Sequence, residues 1–233
     1  MKILAIIPAR GDSKGIPSKN IKLLGGKPLL QYTYETAKQT SFFSKIILSS
    51  DNQEIIEVAK KIGLEVPFIR PKELATDDTP TIDVVKHTLK FYKNQEMYFD
   101  AVCILQVTSP FRTVEFINTS IEKFITRKCD SLISVQKIPH EFNPHWAFIL
   151  NDIGNLVIAT GEDKIVSRRQ ELPIAFHRDG NIYITKSDVV LNQNSLYGKS
   201  ITYIESSSKN YINIDTPEDW ERAEKILSTI EFK

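Results

Sequence analysis

The chain predicts an α/β fold with a mostly parallel, open sheet. Three observations carry that expectation. Short apolar runs recur at residues 3–7, 46–48, 64–69, 101–105 and 131–135, and they do not alternate with polar residues, which is the pattern of strands covered on both faces. Helical spacings lie between them: Ile55, Val58, Ala59 and Ile62; Ile82, Val85, Leu89 and Tyr92; Val114, Ile117, Ile121 and Phe124. Each set lays one apolar stripe along a helix. Repeated strand–helix–strand units then imply right-handed crossovers, with ligand sites outside the carboxyl ends of the strands.

The first run, Lys2 to Pro8, breaks directly into a polar loop and is far too short for a signal h-region or a membrane span. It reads as a buried strand, and no membrane partner is expected. With 233 residues, 41% of them hydrophobic, one substantial core is available, so residues 1–233 are expected to form a single domain. Lysine and arginine number 30 against 29 acidic residues. Global attraction to nucleic acid is therefore excluded, and any polyanion must be met by local clustering. Cys103 and Cys129 lack CxxC spacing, which favours reduced thiols and a cytoplasmic location.

From Pro139 to Arg178 the periodicity loosens. Residues 146–150 and 156–158 flank Asn151-Asp152-Ile153-Gly154-Asn155, which has hairpin chemistry. Residues 139–178 are accordingly expected to be a small inserted lobe exposing Trp146 and Phe148. Strands resume at 181–184 and 201–204. A last helix is expected to open at Thr216-Pro217-Glu218-Asp219, with threonine as cap and proline in the first turn, and to present Trp220, Ala223, Leu227 and Ile230 to the core.

The loop after the first strand carries the chemistry. Pro8-Ala9-Arg10-Gly11-Asp12-Ser13-Lys14-Gly15-Ile16-Pro17-Ser18-Lys19-Asn20 sets three cations beside glycine-freed backbone N–H groups, which suits a nucleoside triphosphate. Three clustered cations alone read equally well as a solvated loop. Their place at the end of a buried first strand favours the ligand reading. Neither the G-x-x-x-x-G-K-[ST] loop nor the G-x-G-x-x-G fingerprint is present.

This segment, with Gly26-Lys27-Pro28-Leu29-Leu30 after it, resembles the opening signature of the acylneuraminate cytidylyltransferases. The likeness continues through Ser49-Ser50-Asp51, Arg70-Pro71-Lys72-Glu73-Leu74-Ala75, Leu105-Gln106-Val107-Thr108-Ser109-Pro110-Phe111-Arg112, Arg169-Gln170-Glu171-Leu172-Pro173 and Ile214-Asp215-Thr216. It implies a Rossmann-like nucleotidyltransferase fold, with the inserted lobe serving dimerisation in a homodimer. It implies an enzyme that transfers CMP from CTP to the anomeric hydroxyl of a sialic acid-like nonulosonic acid, releasing pyrophosphate and using Mg2+.

By similarity, Ala9, Arg10, Ser13, Lys14, Lys19, Asn20, Arg70 and Thr79 hold the nucleotide, with Arg10, Lys19 and Asp215 closest to the chemistry. Thr79 reads alone as the N-cap of the next helix. Gln106, Arg169, His177 and Tyr183 are placed by the resemblance around an acidic nine-carbon sugar, Arg169 taking its carboxylate. Read without it, Arg169 is a surface cation and Tyr183 a core aromatic. Asp215 is the expected metal ligand.

Two departures bear on the substrate. Asn213-Ile214-Asp215 stands where relatives carry two aspartates, and His177-Arg178-Asp179-Gly180 stands where the best-known sialic acid enzymes have an arginine and then Asn-Gly. The same chemistry on legionaminic, pseudaminic or deoxyoctulosonic acid is thus an alternative, and Asn213 leaves a noncatalytic nucleotide- or sugar-binding homologue as the rival from another class. His140 and His145 lack further ligands at metal spacing and read as a polar loop.

Overall fold

A computed structural model describes residues 1–12, 14–207 and 211–229. Ser13 and Ile230 lie outside the described residues. In chain order the elements are β1 (Ile3–Pro8), β2 (Leu23–Leu24), β3 (Lys27–Pro28), α1 (Leu29–Lys38), β4 (Phe43–Ser49), α2 (Gln53–Lys61), α3 (Thr81–Lys93) and β5 (Ala101–Ile104). Then follow α4 (Val114–Arg127), β6 (Ser131–Lys137), β7 (Phe148–Leu150), β8 (Leu156–Ile158), β9 (Phe176–Lys186), α5 (Ser187–Asn192), β10 (Ile201–Glu205) and α6 (Pro217–Thr229).

Six strands form one sheet in the order β10-β6-β9-β5-β1-β4. The pairs β1–β4, β1–β5 and β6–β10 are parallel, and β9 runs antiparallel to both β5 and β6. The expected mostly parallel α/β sheet is present, with one reversed strand near its middle.

The unalternating runs have the predicted cause. Ile3, Ala5 and Ile7 of β1 join one core cluster, which also takes Ile117, Ile121 and Phe124 of α4. Leu4 and Ile6 join the other, with Val85, Leu89 and Tyr92 of α3. Successive side chains point to opposite faces, so a strand with apolar cores on both faces has no position for a polar residue.

The run at 64–69 does not become a strand. Only one parallel bridge forms, Ile47 to Glu65. Pro67 removes a ladder donor in the middle of the run, and Ile69 is exposed. The segment still tracks β4 through Leu48 N to Glu65 O (2.8 Å) and Arg70 N to Ser50 O (2.8 Å), and so delivers Arg70 to the end of the sheet.

Between β6 and β9 the chain leaves the sheet. β7 and β8 pair Phe148 with Ile158 and Leu150 with Leu156. Asn151 Oδ1 closes the turn by accepting from the backbone N–H groups of Ile153 and Asn155. The excursion returns at Phe176, so residues 176–178, expected in the lobe, belong to β9. Phe148 is exposed as expected, but Trp146 is half-buried and its indole donates to Val166 O at 2.6 Å. His145 pairs with Glu162 and His140 with Glu141, and among the described residues no group of three or more His, Cys, Asp or Glu could hold a metal.

The last helix starts as predicted. Thr216 Oγ1 accepts from Asp219 N at 3.3 Å, while Asp219 Oδ2 accepts from the backbone N–H groups of Asp215 (3.1 Å) and Thr216 (3.0 Å). This reciprocal cap fixes the chain at Asp215, and Trp220 and Ala223 anchor the helix in the core.

Candidate active site

A cleft of about 580 Å³ opens beyond the ends of β1 and β5. Its floor is the loop after β1. Ala9 N donates to Ser49 O (3.0 Å) and Gly11 N to Asp51 Oδ1 (3.0 Å), which ties that loop to the end of β4. Asn20 Nδ2 donates to Arg10 O at 2.9 Å, folding the loop back on itself. Buried Ala9 and Asn20 therefore shape the loop that carries Arg10, and Asn20 also reaches the cleft wall whereas Ala9 does not.

Arg10 and Lys14 converge on one carboxylate. Arg10 Nη2 lies 2.6 Å from Asp77 Oδ1, and Lys14 Nζ lies 2.7 Å from Asp77 Oδ2. Arg10 Nη1 also donates to Thr76 O at 3.0 Å. Lys14, and with it Arg10, holds the Asp77 carboxyl below its ordinary 3.8 against the opposing effect of desolvation. A depressed carboxyl stabilises its contacts above the unfolded value, and the contribution disappears as pH falls through the lower folded value. The bridge should thus persist at neutral pH and open only below about pH 3.8. Carboxyl NMR titration of Asp77 checks this. A midpoint at or above the ordinary value would contradict the bridge.

Lys19 crosses the cleft. Its ammonium, nearly buried, donates to Ile214 O at 2.7 Å and to Asp215 Oδ1 at 2.8 Å. The amide of Asn213 donates to Asp215 Oδ2. The Asp215 side chain nonetheless remains 56% exposed, facing the cleft. The loop also meets the backbone of Asp215 at Gly15, where a Cβ would stand 1.9 Å from Asp215 O. That neighbour is backbone held by the cap of α6, so it yields only by moving the carboxylate. Gly15→Ala is expected to lose about 1–3 kcal/mol of stability from overpacking and most activity. Thermal unfolding and pyrophosphate release check it; a variant with normal rate and normal melting would refute the close approach.

Arg70 forms the far wall. Its Nε donates to Ser49 Oγ (3.1 Å) and its Nη2 to Ser49 O, and burial pulls its pKa down to about 10, with Asp51 opposing and Arg10 adding to the effect. Thr79 also lines the cleft but does not cap α3. The residue before α3 is Pro80, with no side-chain cap, and Thr79 Oγ1 bonds Thr76 Oγ1 (2.7 Å) and donates to Glu73 O (3.2 Å). Thr81, at the positive end of α3, lines the cleft too.

On the acceptor side only Gln106 lines the cleft. Arg169 lies on an exposed turn of the excursion. His177 is exposed on β9, paired with Gln136 of β6. Tyr183 is 7% exposed and belongs to the second core cluster, which matches the reading of it as a core aromatic. None of these three lines the cleft. Strand alternation and a loop length do not specify where an excursion folds back, so nothing local in the sequence separates them from the cleft residues.

The cytidylyltransferase family model matches residues 4–230. The chain belongs to the cytidylyltransferase family. This cytidylyltransferase is 37% identical over 229 residues to the CMP-N,N'-diacetyllegionaminic acid synthase of Legionella pneumophila, covering 97% of each chain. It is 37% identical over 227 residues to a pseudaminic acid cytidylyltransferase of Campylobacter jejuni, covering 97% of this chain and 96% of that one. An N-acylneuraminate cytidylyltransferase of Streptococcus agalactiae is 32% identical over 223 residues, 94% of this chain but 52% of that protein. The fold is shared with a CMP:2-keto-3-deoxy-manno-octonic acid synthetase complexed with CTP, with TM-score 0.74, 17% identity and 98% and 99% coverage.

Reading the sequence alone missed Asp77 and Thr81, both of which line the cleft of this cytidylyltransferase. Thr81 carried a signal, a hydroxyl residue opening an amphipathic helix. Asp77 is one of two adjacent aspartates in a loop, and only the fold shows which one meets the cations.

Proposed function

We propose that the protein transfers CMP from CTP to the anomeric hydroxyl of a nonulosonic acid of the legionaminic or pseudaminic type. The convergence of Arg10, Lys14 and Lys19 on one cleft with Asp215 at its lip carries this reading. Relatives named for those two acids match this chain end to end at 37% identity, against 32% for the neuraminate enzyme, which is about twice as long.

In the proposed reaction the acceptor oxygen bonds to the α-phosphorus, the bond from that phosphorus to the β-bridging oxygen breaks, pyrophosphate leaves, and the hydroxyl proton is released. Such transfer is dominated by positioning and by neutralising charge on the phosphates. Arg10 supplies a forked donor and Lys14 a mobile point charge, and both exchange Asp77 for phosphate oxygens. Lys19 is anchored by Ile214 O, so its charge stays fixed beside Asp215. Gln106 donates and accepts toward the acceptor's hydroxyls. Arg169, placed there by the shared order of motifs, is the proposed partner of the acceptor carboxylate, and Arg169→Ala should raise the KM for the acid and not for CTP.

Magnesium fits this site. Each Asp215 oxygen accepts one hydrogen bond, from Lys19 or Asn213, which leaves lone pairs for a cation. Magnesium is ordinarily held by one or two carboxylates together with substrate phosphates and water, so one aspartate suffices. When bound, it would neutralise charge on the phosphate oxygens.

We also infer a homodimer formed through the excursion, because Phe148, Ile149, Leu150, Ile153 and Leu156 present an exposed apolar surface on the hairpin. The free thiols of Cys103 and Cys129 fit a cytoplasmic location. The reading is tested by pyrophosphate release from CTP with neuraminic, legionaminic, pseudaminic and deoxyoctulosonic acids. The highest kcat/KM should fall to legionaminic or pseudaminic acid. Release with none of them, or faster release from GTP, UTP or ATP, would overturn the proposal.

A further inference from the structure

Gln106 meets the cleft from a loop that has no slack. The guanidinium of Arg112, 5% exposed, donates through Nη2 to Gln106 O (2.6 Å), through Nε to Asn181 O (3.0 Å) and Oδ1 (3.2 Å), and through Nη1 to Thr33 Oγ1 (3.0 Å). One buried side chain thus ties the backbone of Gln106 to β9. The β9 side is equally constrained: Asp179 Oδ1 accepts from Asn181 N at 3.0 Å and from Ser134 Oγ of β6.

Gly180 sits between these two anchors, with φ +80°. A Cβ there would lie 2.8 Å from Gln106 Oε1 and 3.8 Å from its Cδ, with no other atom of the described residues, its chain neighbours apart, within 4 Å. Among the described residues the group that a Cβ at this position would meet is therefore the Gln106 carboxamide. The backbones on both sides are clamped, so the carboxamide is what must move.

We propose that Gly180 is a positioning residue: its bare Cα lets the Gln106 carboxamide rest against β9 and so fixes the donor and acceptor that Gln106 presents to the acidic sugar. This rests on the reading of the cleft as a nonulosonic acid site, and it makes the Gly180–Gln106 contact a determinant of acceptor selectivity. Asp179 and Asn181 act indirectly, by holding Gly180 at its left-handed angle.

The test is a cycle of Gly180→Ala, Gln106→Ala and the double variant, reading KM for the acid, KM for CTP and thermal unfolding. Gly180→Ala should raise the acid KM about tenfold, the loss of one good hydrogen bond, and leave the CTP KM unchanged. In the Gln106→Ala background the same change should add nothing to the acid KM. The melting temperature should fall less there as well, because only the φ strain remains. An unchanged acid KM in Gly180→Ala, or an equal multiplication in both backgrounds, overturns the proposal. If Gly180→Ala alone does not fold, a folded double variant reports the same clash, and an unfolded one overturns it. Wild-type pyrophosphate release with the acid, measured alongside, separates failure of this proposal from failure of the functional reading.

Discussion

Arg10→Ala is expected to reduce pyrophosphate release from CTP by about two to three orders of magnitude, the effect of removing one preorganised donor from a site of developing charge, while the protein still folds. The size follows from position. Arg10 stands just past the end of the buried strand β1, its carbonyl is held by Asn20, and its guanidinium spans the cleft to Asp77. Among the described residues its side chain bonds to the exposed Asp77 carboxylate and to Thr76 O, neither of them part of the core. Half-exposed ion pairs of this kind contribute little to folding. Steady-state kinetics with a melting curve on the same sample checks both halves. A normal rate, or an unfolded variant, would contradict the assignment.

Asp215→Asn is expected to cost at least about a hundredfold in rate, by loss of the metal-binding charge, and to move the magnesium optimum to higher concentration. The substitution keeps the size of the side chain and leaves the cap of α6 intact, since that cap uses the backbone N–H of Asp215 and the carboxylate of Asp219. It removes the charge opposite Lys19, whose remaining partner is Ile214 O. A magnesium titration of pyrophosphate release separates the two roles. If the optimum stays in place and only stability falls, Asp215 serves Lys19 and not a metal.

The strands could be read from the sequence where both faces are buried, because β1 and β5 offer no polar position to disguise the pattern. The floor of the cleft was equally legible, since a cationic loop directly after β1 has one place to go in an open sheet. Asp215 was reached through the family resemblance, its motif Ile214-Asp215-Thr216 standing at the predicted start of the last helix. Other features depend on long-range geometry. The reversal of β9 follows from how the excursion between β6 and β9 folds back, which no local propensity encodes. The run at 64–69 was misread because its apolar residues outweighed Pro67. Arg112, quoted only as part of a motif, becomes the clamp on Gln106 once β5 and β9 are neighbours. Tyr183 shows the converse: a residue assigned to a pocket by order along the chain is drawn into the core by alternation along its strand.

The central claim is that the loop after β1 grips the anionic tail of the nucleotide. Isothermal titration of CTP and of CMP in the presence of magnesium measures that grip directly. Wild-type protein should bind CTP about a hundredfold more tightly than CMP, as two charge-assisted hydrogen bonds of about 1.5 kcal/mol each require, and the difference should vanish when Arg10 and Lys14 are both alanine. Equal affinity of the wild-type protein for CTP and CMP would contradict the account.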